Sequence, residues 1–219
     1  MQRIAVYCGS ASGSDPRFAE AATAFGTLLA ARGLDLVFGG GHVGLMGRVA
    51  DAVLAGGGRA IGVMPDRLAE REIAHRGLTE LQIVPDLQQR KRRMLELADA
   101  CIALPGGIGT FDEWFEALTL GCLEIHDRPC ALLNLYGYHD PLLALLDHAV
   151  AQGFMRAQQR AAVLVDDDGA RLLDACAARR AAQAFNGDRS GQAAGHPTKK
   201  TRSRRQGEGG DRAIGGSDI

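Results

Sequence analysis

The hydrophobic positions of this chain form short apolar runs that alternate with longer amphipathic segments. Short runs of this kind, bounded by Gly, Pro or Asp, are typical of buried strands. The expected strands cover residues 4–8, 34–38, 60–64, 81–84, 100–104, 130–135 and 162–165. Strands that alternate with helical segments form βαβ units, so the pattern predicts an α/β fold with a parallel sheet and helices on both faces.

Two of the helical segments have clear ends. Residues 16–32 carry Phe18, Phe25 and Leu29 on one stripe and stop before Gly33, and residues 142–152 stop before Gly153. A glycine directly after the last periodic residue is a common helix C-terminal signal. Residues 65–80 are rich in charge and lack a period, so we expect an irregular excursion or a short helix near the rim of the sheet.

The composition changes at Asn186. Beyond it the apolar residues are Ala and Ile alone, eight of 34 positions are Gly, and Lys and Arg cluster at 199–205. Such a segment cannot bury a core. We therefore predict one domain over residues 1–185 and a disordered Gly-rich basic tail over residues 186–219.

Charge and composition limit the partners. The net charge is -1, which argues against a broad surface for nucleic acid or membranes and favours a small-molecule ligand. The chain enters its first expected strand without a charged leader, and nowhere do about 18 uncharged apolar residues run together, so we expect a cytoplasmic protein. The five cysteines form no CxxC pair, which predicts reduced core residues and no metal site.

Three glycine-rich loops follow expected strands, at residues 8–13, 39–47 and 105–110. In a doubly wound sheet, ligands bind outside the carboxyl ends of the strands. Glycine lets backbone N–H groups approach an anion, and the dipole of the following helix favours negative charge. The loops therefore predict a phosphate site.

Two other interpretations of these loops remain open. Gly39, Gly41 and Gly44 match a dinucleotide fingerprint, with Asp66 as the ribose-binding acid, which would indicate a nicotinamide-dependent oxidoreductase. Against it, the match follows the second strand, and Asp66 follows a proline. A nucleotide-binding carrier without catalysis is the other alternative, because phosphate loops alone would serve it.

Charged residues lie close to the third glycine loop. Glu113 follows it by one helical turn, where it can stabilise a helix start or act on a ribose that extends from the phosphate. Arg90 belongs to a run of four cations and shares a helix face with Met94, so it is expected to face the body of the protein. There it can hold a phosphate or pair with Glu113.

These residues resemble the LONELY GUY family of cytokinin-activating phosphoribohydrolases, whose members have often been labelled lysine decarboxylase-like. The marker is a PGGxGTxxE motif, present as residues 105–113, and supporting matches extend over roughly residues 3–180. The resemblance implies a Rossmann-like fold, a homodimer, no cofactor, and hydrolysis of adenosine 5'-monophosphates, N6-substituted or plain, to free base and ribose 5-phosphate.

The family's functional positions can be transferred motif by motif. Arg90 and Glu113 take the catalytic positions. The implied substrate contacts are Gly9, Ser10, Gly39, Gly40, Gly41, Met46, Gly106, Gly107, Gly109 and Thr110. The chain departs from the family pattern at three positions that we expect to border the base pocket, namely Leu87, Ile108 and Leu120. A decarboxylase is not favoured, because the lysines are Lys91, which lies in the cation run, and two residues of the tail.

Overall fold

A computed structural model describes residues 1–69 and 74–193 of the chain. Within these residues, seven strands form one parallel sheet in the order β4-β3-β2-β1-β5-β6-β7. The strands are β1 (Arg3–Tyr7), β2 (Asp35–Phe38), β3 (Ala60–Pro65), β4 (Glu80–Val84), β5 (Ala100–Ala103), β6 (Cys130–Leu133) and β7 (Val163–Asp166). The expected Rossmann-like, doubly wound sheet is thereby confirmed, with each strand within a residue or two of its expected position.

In the described ranges, eight α-helices connect the strands or follow them. They are α1 (Pro16–Ala31), α2 (Gly44–Ala55), α3 (Asp66–Ala69), α4 (Leu87–Leu97), α5 (Ile108–Cys122), α6 (Asp140–Ala151), α7 (Ala157–Ala162) and α8 (Gly169–Ala193). Gly33 and Gly153 adopt positive φ angles of 64° and 80° directly beyond α1 and α6. Both helix ends therefore lie where the glycines predicted them.

The core has one layer on each face of the sheet. On one face, α1, α2 and α8 pack Phe25, Val49 and Leu172 against the strands. On the other, α4, α5 and α6 contribute Met94, Trp114 and Leu146. All five cysteines are free thiols, and four of them are buried. The expectation of reduced core cysteines is met everywhere except at Cys122, which is partly exposed.

The charged segment at residues 65–80 contains the short helix α3, an isolated bridge between Gly41 and Ala74, and the start of β4. At the other end of the chain, α8 continues to Ala193, past the expected domain boundary at residue 186. The rest of the expected tail lies outside the described residues, so the division of the chain stays a prediction. In the two described ranges, no helix is long and apolar enough to cross a membrane.

Candidate active site

The three glycine loops meet where the chain reverses its direction across the sheet. β1 lies between β2 and β5, and crevices at such switch points are the usual ligand sites of open α/β sheets. Gly9, after β1, donates its N–H to the Pro105 carbonyl at 3.0 Å, and its own carbonyl accepts from the Leu45 N–H at 3.0 Å. The first loop therefore joins the other two.

A pocket of about 340 Å³ opens at this junction. Four of the expected contact residues line it, namely Gly9, Ser10, Gly106 and Gly107. Phe18 and Tyr138 form part of its wall. The pocket has the size of a small-molecule site.

The helices α2 and α5 both begin at this edge without a side-chain cap from any described residue. By contrast, α1 and α4 are capped by Asp15 and Asp86. In α2, the Gly9 carbonyl accepts hydrogen bonds from the N–H groups of Leu45 and Met46, at 3.0 and 3.4 Å. In α5, the N–H groups of its first turn have no carbonyl inside the helix to bond. The start of α5 is therefore the helix end at this edge whose N–H groups are left available to another acceptor.

The glycines differ in what a side chain at each would meet. A Cβ at Gly107 or Gly109 would lie in open space, with no described atom within 4 Å beyond its own stretch of backbone. A Cβ at Gly106 would lie 2.0 Å from Thr110 Oγ1, and one at Gly44 would lie 2.3 Å from a backbone carbon of Ser10. Gly106 and Gly44 are required by packing, whereas Gly107 and Gly109 leave free space beside the N–H groups of α5.

The second glycine loop is also largely structural. Gly40 has a φ of 77°, packs against Gly62 of β3, and accepts a hydrogen bond from the His75 N–H at 2.9 Å. Gly39 lies closest to the charged residues: a Cβ there would be 3.6 Å from Met46 Sδ and 3.7 Å from Arg90 Nη1. The structure therefore brings Gly39, Met46 and Arg90 together.

Arg90 and Glu113 form an ion pair across the gap between α4 and α5. The distance from Nη2 of Arg90 to Oε1 of Glu113 is 2.5 Å, and the two side chains are only 16% and 10% exposed. The Nε of Arg90 is buried and has no hydrogen-bond partner among the described residues. The guanidinium thus holds the carboxylate and keeps donor capacity for another group.

Burial sets the electrostatics of this pair. It raises the pKa of the Glu113 carboxyl above its ordinary value, and the opposing attraction of Arg90 is smaller. Cys8, at the end of β1, is affected too: burial raises the pKa of its thiol, and the charge of Glu113 raises it further. Cys8 therefore stays a neutral thiol.

Lys91 has a role that the sequence did not reveal. Its amine is 7% exposed and lies 2.5 Å from Glu116 and 3.0 Å from Asp112 on α5. Burial alone would lower the pKa of this amine, but the two carboxylates outweigh it and the pKa is raised. Arg90 and Lys91 are adjacent on α4 and bind the same helix, so Lys91 fixes the position from which Arg90 reaches Glu113.

Sequence reasoning also missed the residues that hold the third loop from the other side. The Tyr138 hydroxyl donates to the Gly106 carbonyl at 2.6 Å. Next to it, His139 is fully buried at the start of α6, where burial lowers its pKa to about 4 and keeps it neutral at neutral pH. No local signal in the sequence marks Tyr138 for this contact, because its partner Gly106 lies 32 residues away along the chain.

The remaining expectations have mixed outcomes. Asp66 is exposed, and its carboxylate accepts a hydrogen bond from the Arg67 N–H at 2.6 Å. Ile108 is 87% exposed and lies at the first position of α5. Leu120, however, lies 12 residues further along α5, roughly 18 Å away. Ile108 and Leu120 therefore lie near opposite ends of α5, and their place beside the base stays a prediction. Over the described part of the chain, no cluster of His, Cys, Asp and Glu fits a metal ion.

Comparisons with known proteins extend this description. A family model described as "Possible lysine decarboxylase" matches residues 46–176. The chain is 48% identical over 171 residues to a protein of Oryza sativa subsp. japonica named a probable cytokinin riboside 5'-monophosphate phosphoribohydrolase. Those residues cover 78% of this chain and 77% of that relative. A cytokinin riboside 5'-monophosphate phosphoribohydrolase of Rhodococcoides fascians is 46% identical over 166 residues, which cover 75% of this chain and 84% of that protein.

The chain belongs to the LONELY GUY family. Solved structures of similar fold include a molybdenum cofactor carrier protein from Chlamydomonas reinhardtii, with a TM-score of 0.62 at 20% identity over 82% of this chain and 98% of that one. A molybdenum cofactor binding protein from Rippkaea orientalis has a TM-score of 0.60 at 22% identity over 79% and 93%. These two similarities extend to the fold alone.

The decarboxylase description of the family model has no counterpart in this site. Lys91 is held by two carboxylates, and its pKa is raised rather than lowered. A lysine that forms a Schiff base needs a depressed pKa and free access. Lys199 and Lys200 lie outside the described residues.

Proposed function

We propose that this protein hydrolyses the N-glycosidic bond of adenosine 5'-monophosphates, with N6-substituted cytokinin nucleotides and AMP as the substrate class. It releases the free base and ribose 5-phosphate. The observation that supports this most strongly is the buried ion pair of Arg90 and Glu113, one helical turn from the uncapped start of α5. A protein that only carries a nucleotide has no need of a carboxylate at that position.

The substrate is oriented by its phosphate. The 5'-phosphate accepts hydrogen bonds from the N–H groups at Gly107, Gly109 and Thr110, where the α5 dipole favours its charge. The open space beside Gly107 and Gly109 allows that close approach. Gly9 and Ser10 line the phosphate side of the crevice.

The ribose then extends toward the ion pair. Glu113 follows Thr110 by three residues on α5, so its carboxylate lies one turn below the cradle. Gly39 and Met46 lie beside Arg90 and complete that side of the crevice. Gly40 and Gly41 contribute by shaping the loop, and Gly106 positions Thr110.

The reaction breaks the bond between C1' of the ribose and the base nitrogen, whose electron pair leaves with the base. The carboxylate of Glu113 stabilises the oxocarbenium character that develops at the ribose or positions the attacking water. Water adds its oxygen to C1', one proton leaves that water, and the departing base gains one. Arg90 fixes Glu113 and supplies the remaining donors to the nucleotide.

We also propose that the protein acts as a homodimer in the cytoplasm, with residues 1–185 as one domain and the remainder as an appended tail. Exposed apolar side chains at the end of α5 support self-association, with Leu123 and Ile125 exposed by 64% and 66%. Leu120 and Leu95 line a neighbouring groove with Ile125. Light scattering coupled to gel filtration would give the mass, and a monomer at micromolar concentration would contradict the dimer.

The proposed activity is tested by incubating the purified protein with AMP and with isopentenyladenosine monophosphate, without added cofactor. Chromatography should show free base and ribose 5-phosphate in equal amounts. A Glu113→Ala variant serves as the control and should release neither product. Tight nucleotide binding without product from the wild-type protein would favour a carrier instead.

A further inference from the structure

A second pocket, of about 450 Å³, lies at the opposite edge of the sheet. It is formed at the amino ends of β6 and β7, between the C-terminal end of α5 and the helices α7 and α8. Because β6 has four residues, about 13 Å of strand separates this pocket from the glycine-loop edge. The pocket therefore belongs to neither the phosphate cradle nor the ion pair of Arg90 and Glu113. We call it the arginine pocket.

Its lining is rich in groups that donate hydrogen bonds to anions. Arg128, Arg156 and Arg179 line it, with Glu124 as the only acid of the lining among the described residues. His126 also lines the pocket, but it adds neither charge nor a free donor. Burial lowers its pKa, and its Nδ1 and Nε2 already bond to the Arg128 N–H and the Ala117 carbonyl, at 3.0 and 2.8 Å. The lining thus carries an excess of about two positive charges at neutral pH.

Among the described residues, two arginines of the pocket, Arg156 and Arg179, lack the ion pairs that neighbouring arginines form. Arg160 on α7 pairs with Asp147 at 2.6 Å, and Arg180 on α8 pairs with Asp127 at 2.5 Å. In the described ranges, neither Arg156 nor Arg179 has a carboxylate within ion-pair distance, although each lies on or next to the same helices. Neither charge is therefore neutralised by a paired carboxylate, and Glu124 alone offsets part of the positive charge of the described lining.

Arg128 and the glutamines make the site preorganised. The Nε of Arg128 donates to the Ala98 carbonyl at 2.6 Å, which fixes its guanidinium in place. The Oε1 of Gln159 accepts from the Arg156 N–H at 2.9 Å, so the Gln159 amide group has donors to offer. Gln183 also lines the pocket, and its buried Oε1, an acceptor, has no partner within the described residues. The guanidinium and amide N–H donors around this cavity suit the oxygen atoms of an oxyanion.

We propose that the arginine pocket binds a small polyanion that carries phosphate or carboxylate groups, separately from the nucleotide site. Three guanidinium groups around one cavity repel each other, and an anion with two or more charges removes that repulsion. The proposal does not depend on the proposed hydrolase activity, since it requires no residue of that site. The probes are inorganic pyrophosphate for phosphate groups and citrate for carboxylate groups.

Cys122 reports on occupancy of this pocket. It is part of the lining, and of the five cysteines, all within the described residues, it is the one that is not buried. It also lies at the opposite end of α5 from the phosphate cradle, about 22 Å along the helix axis. An anion bound at the cradle therefore cannot shield it.

The experiment measures the rate at which N-ethylmaleimide alkylates Cys122 in the full chain, by peptide mass spectrometry, with and without each probe. For each protein, the alkylation rate with probe is divided by the rate without probe, and these ratios are compared between variants. This is necessary because substitutions change the intrinsic reactivity of the thiol. Pyrophosphate or citrate should slow alkylation of the wild-type protein several-fold. The double variant Arg156→Gln/Arg179→Gln should need a probe concentration at least about tenfold higher for the same protection, since two charge-assisted contacts are lost.

The matched control is the double variant Arg160→Gln/Arg180→Gln, which removes the same charge from α7 and α8 outside the pocket. It should retain wild-type protection. The proposal is overturned if neither probe at about 10 mM slows alkylation of the wild-type protein, or if Arg156→Gln/Arg179→Gln is protected as well as the control. Protection that is lost equally in both double variants would also overturn it, because that result reports net charge and no site.

Discussion

Replacing Gly109 by alanine separates a ligand-facing glycine from a structural one. A Cβ at Gly109 meets no described atom within 4 Å beyond its own backbone, so the fold accommodates it. Because alanine has a higher helix propensity, we expect Gly109→Ala to be unchanged or about 0.5 kcal/mol more stable. The added methyl group does, however, occupy the space through which the phosphate approaches the N–H groups of α5.

The expected functional loss follows from the bonds at stake. A hydrogen bond to a charged group is worth about 1.5–3 kcal/mol, and each 1.4 kcal/mol is tenfold. If the methyl group displaces the phosphate from one such bond, kcat/KM for AMP falls roughly 10- to 100-fold. The assay combines steady-state kinetics with urea unfolding of the same preparation.

Gly44→Ala is the matched control, because Gly44 lies at the start of the other uncapped helix. There the Cβ would be 2.3 Å from a Ser10 backbone carbon, and the φ of 60° disfavours a side chain. We expect a loss of about 2 kcal/mol or more in unfolding free energy. Normal kcat/KM in a stable Gly109→Ala variant would refute the placement of the phosphate at α5.

Three further predictions concern the residues around this site. Lys91→Met should lower the unfolding free energy by about 1–2 kcal/mol, because the ion pair with Glu116 is lost; the loss stays modest since Glu116 keeps partial access to water. A double-mutant cycle with Glu116→Gln, measured by urea unfolding, that shows no coupling would contradict this. Tyr138→Phe should reduce kcat/KM for AMP about three- to tenfold and stability by no more than about 1 kcal/mol, because the 2.6 Å bond to Gly106 is lost; unchanged kinetics would show that this bond does not position the loop. Burial raises the pKa of Glu113, so the protonated carboxyl stabilises the folded state at low pH, and this stabilisation is lost as pH rises through the folded-state pKa. The stability of Glu113→Gln relative to wild type should therefore increase between about pH 4 and pH 7. A difference that stays constant across that range in urea titrations would show that the pKa is not raised.

The sequence was sufficient for the inner strands β1, β2, β3, β5 and β6, because they are buried almost throughout and read as short apolar runs. The edge strand β4 is largely exposed, and its bounding residues and apolar positions still marked it as a strand. The sequence also located the glycine loops, since glycine marks both turns and close approach. The sequence could not show which glycines are needed for packing and which leave space for a ligand. That Gly44 packs against Ser10 while Gly109 lies in open space depends on long-range contacts with no local signature.

The charged residues show the same limit. Helical periodicity correctly placed Arg90 toward the body of the protein, where its side chain is 16% exposed. It gave no reason to expect Lys91, in the middle of a cation run, to be buried. Its burial depends on Asp112 and Glu116, which come from a helix on the far side of β5 in the chain order.

The residues around the base were the part of the site that the sequence predicted least well. The departures at Leu87, Ile108 and Leu120 were grouped by family position, yet Leu120 and Ile108 lie at opposite ends of α5. A homodimer, as proposed, provides a second copy of α5, whose contribution a single chain does not contain. Spacing along one sequence cannot express that arrangement.

The most direct test of the central claim is a comparison of wild-type protein with Glu113→Gln, by turnover of AMP and by nucleotide binding. Glutamine keeps the shape of the side chain and removes the charge that stabilises the ribose cation. The account predicts that base release is lost, by about a thousandfold or more for an essential electrostatic group, while the affinity for AMP stays within a few-fold of wild type. Near-normal release of adenine by Glu113→Gln would contradict it.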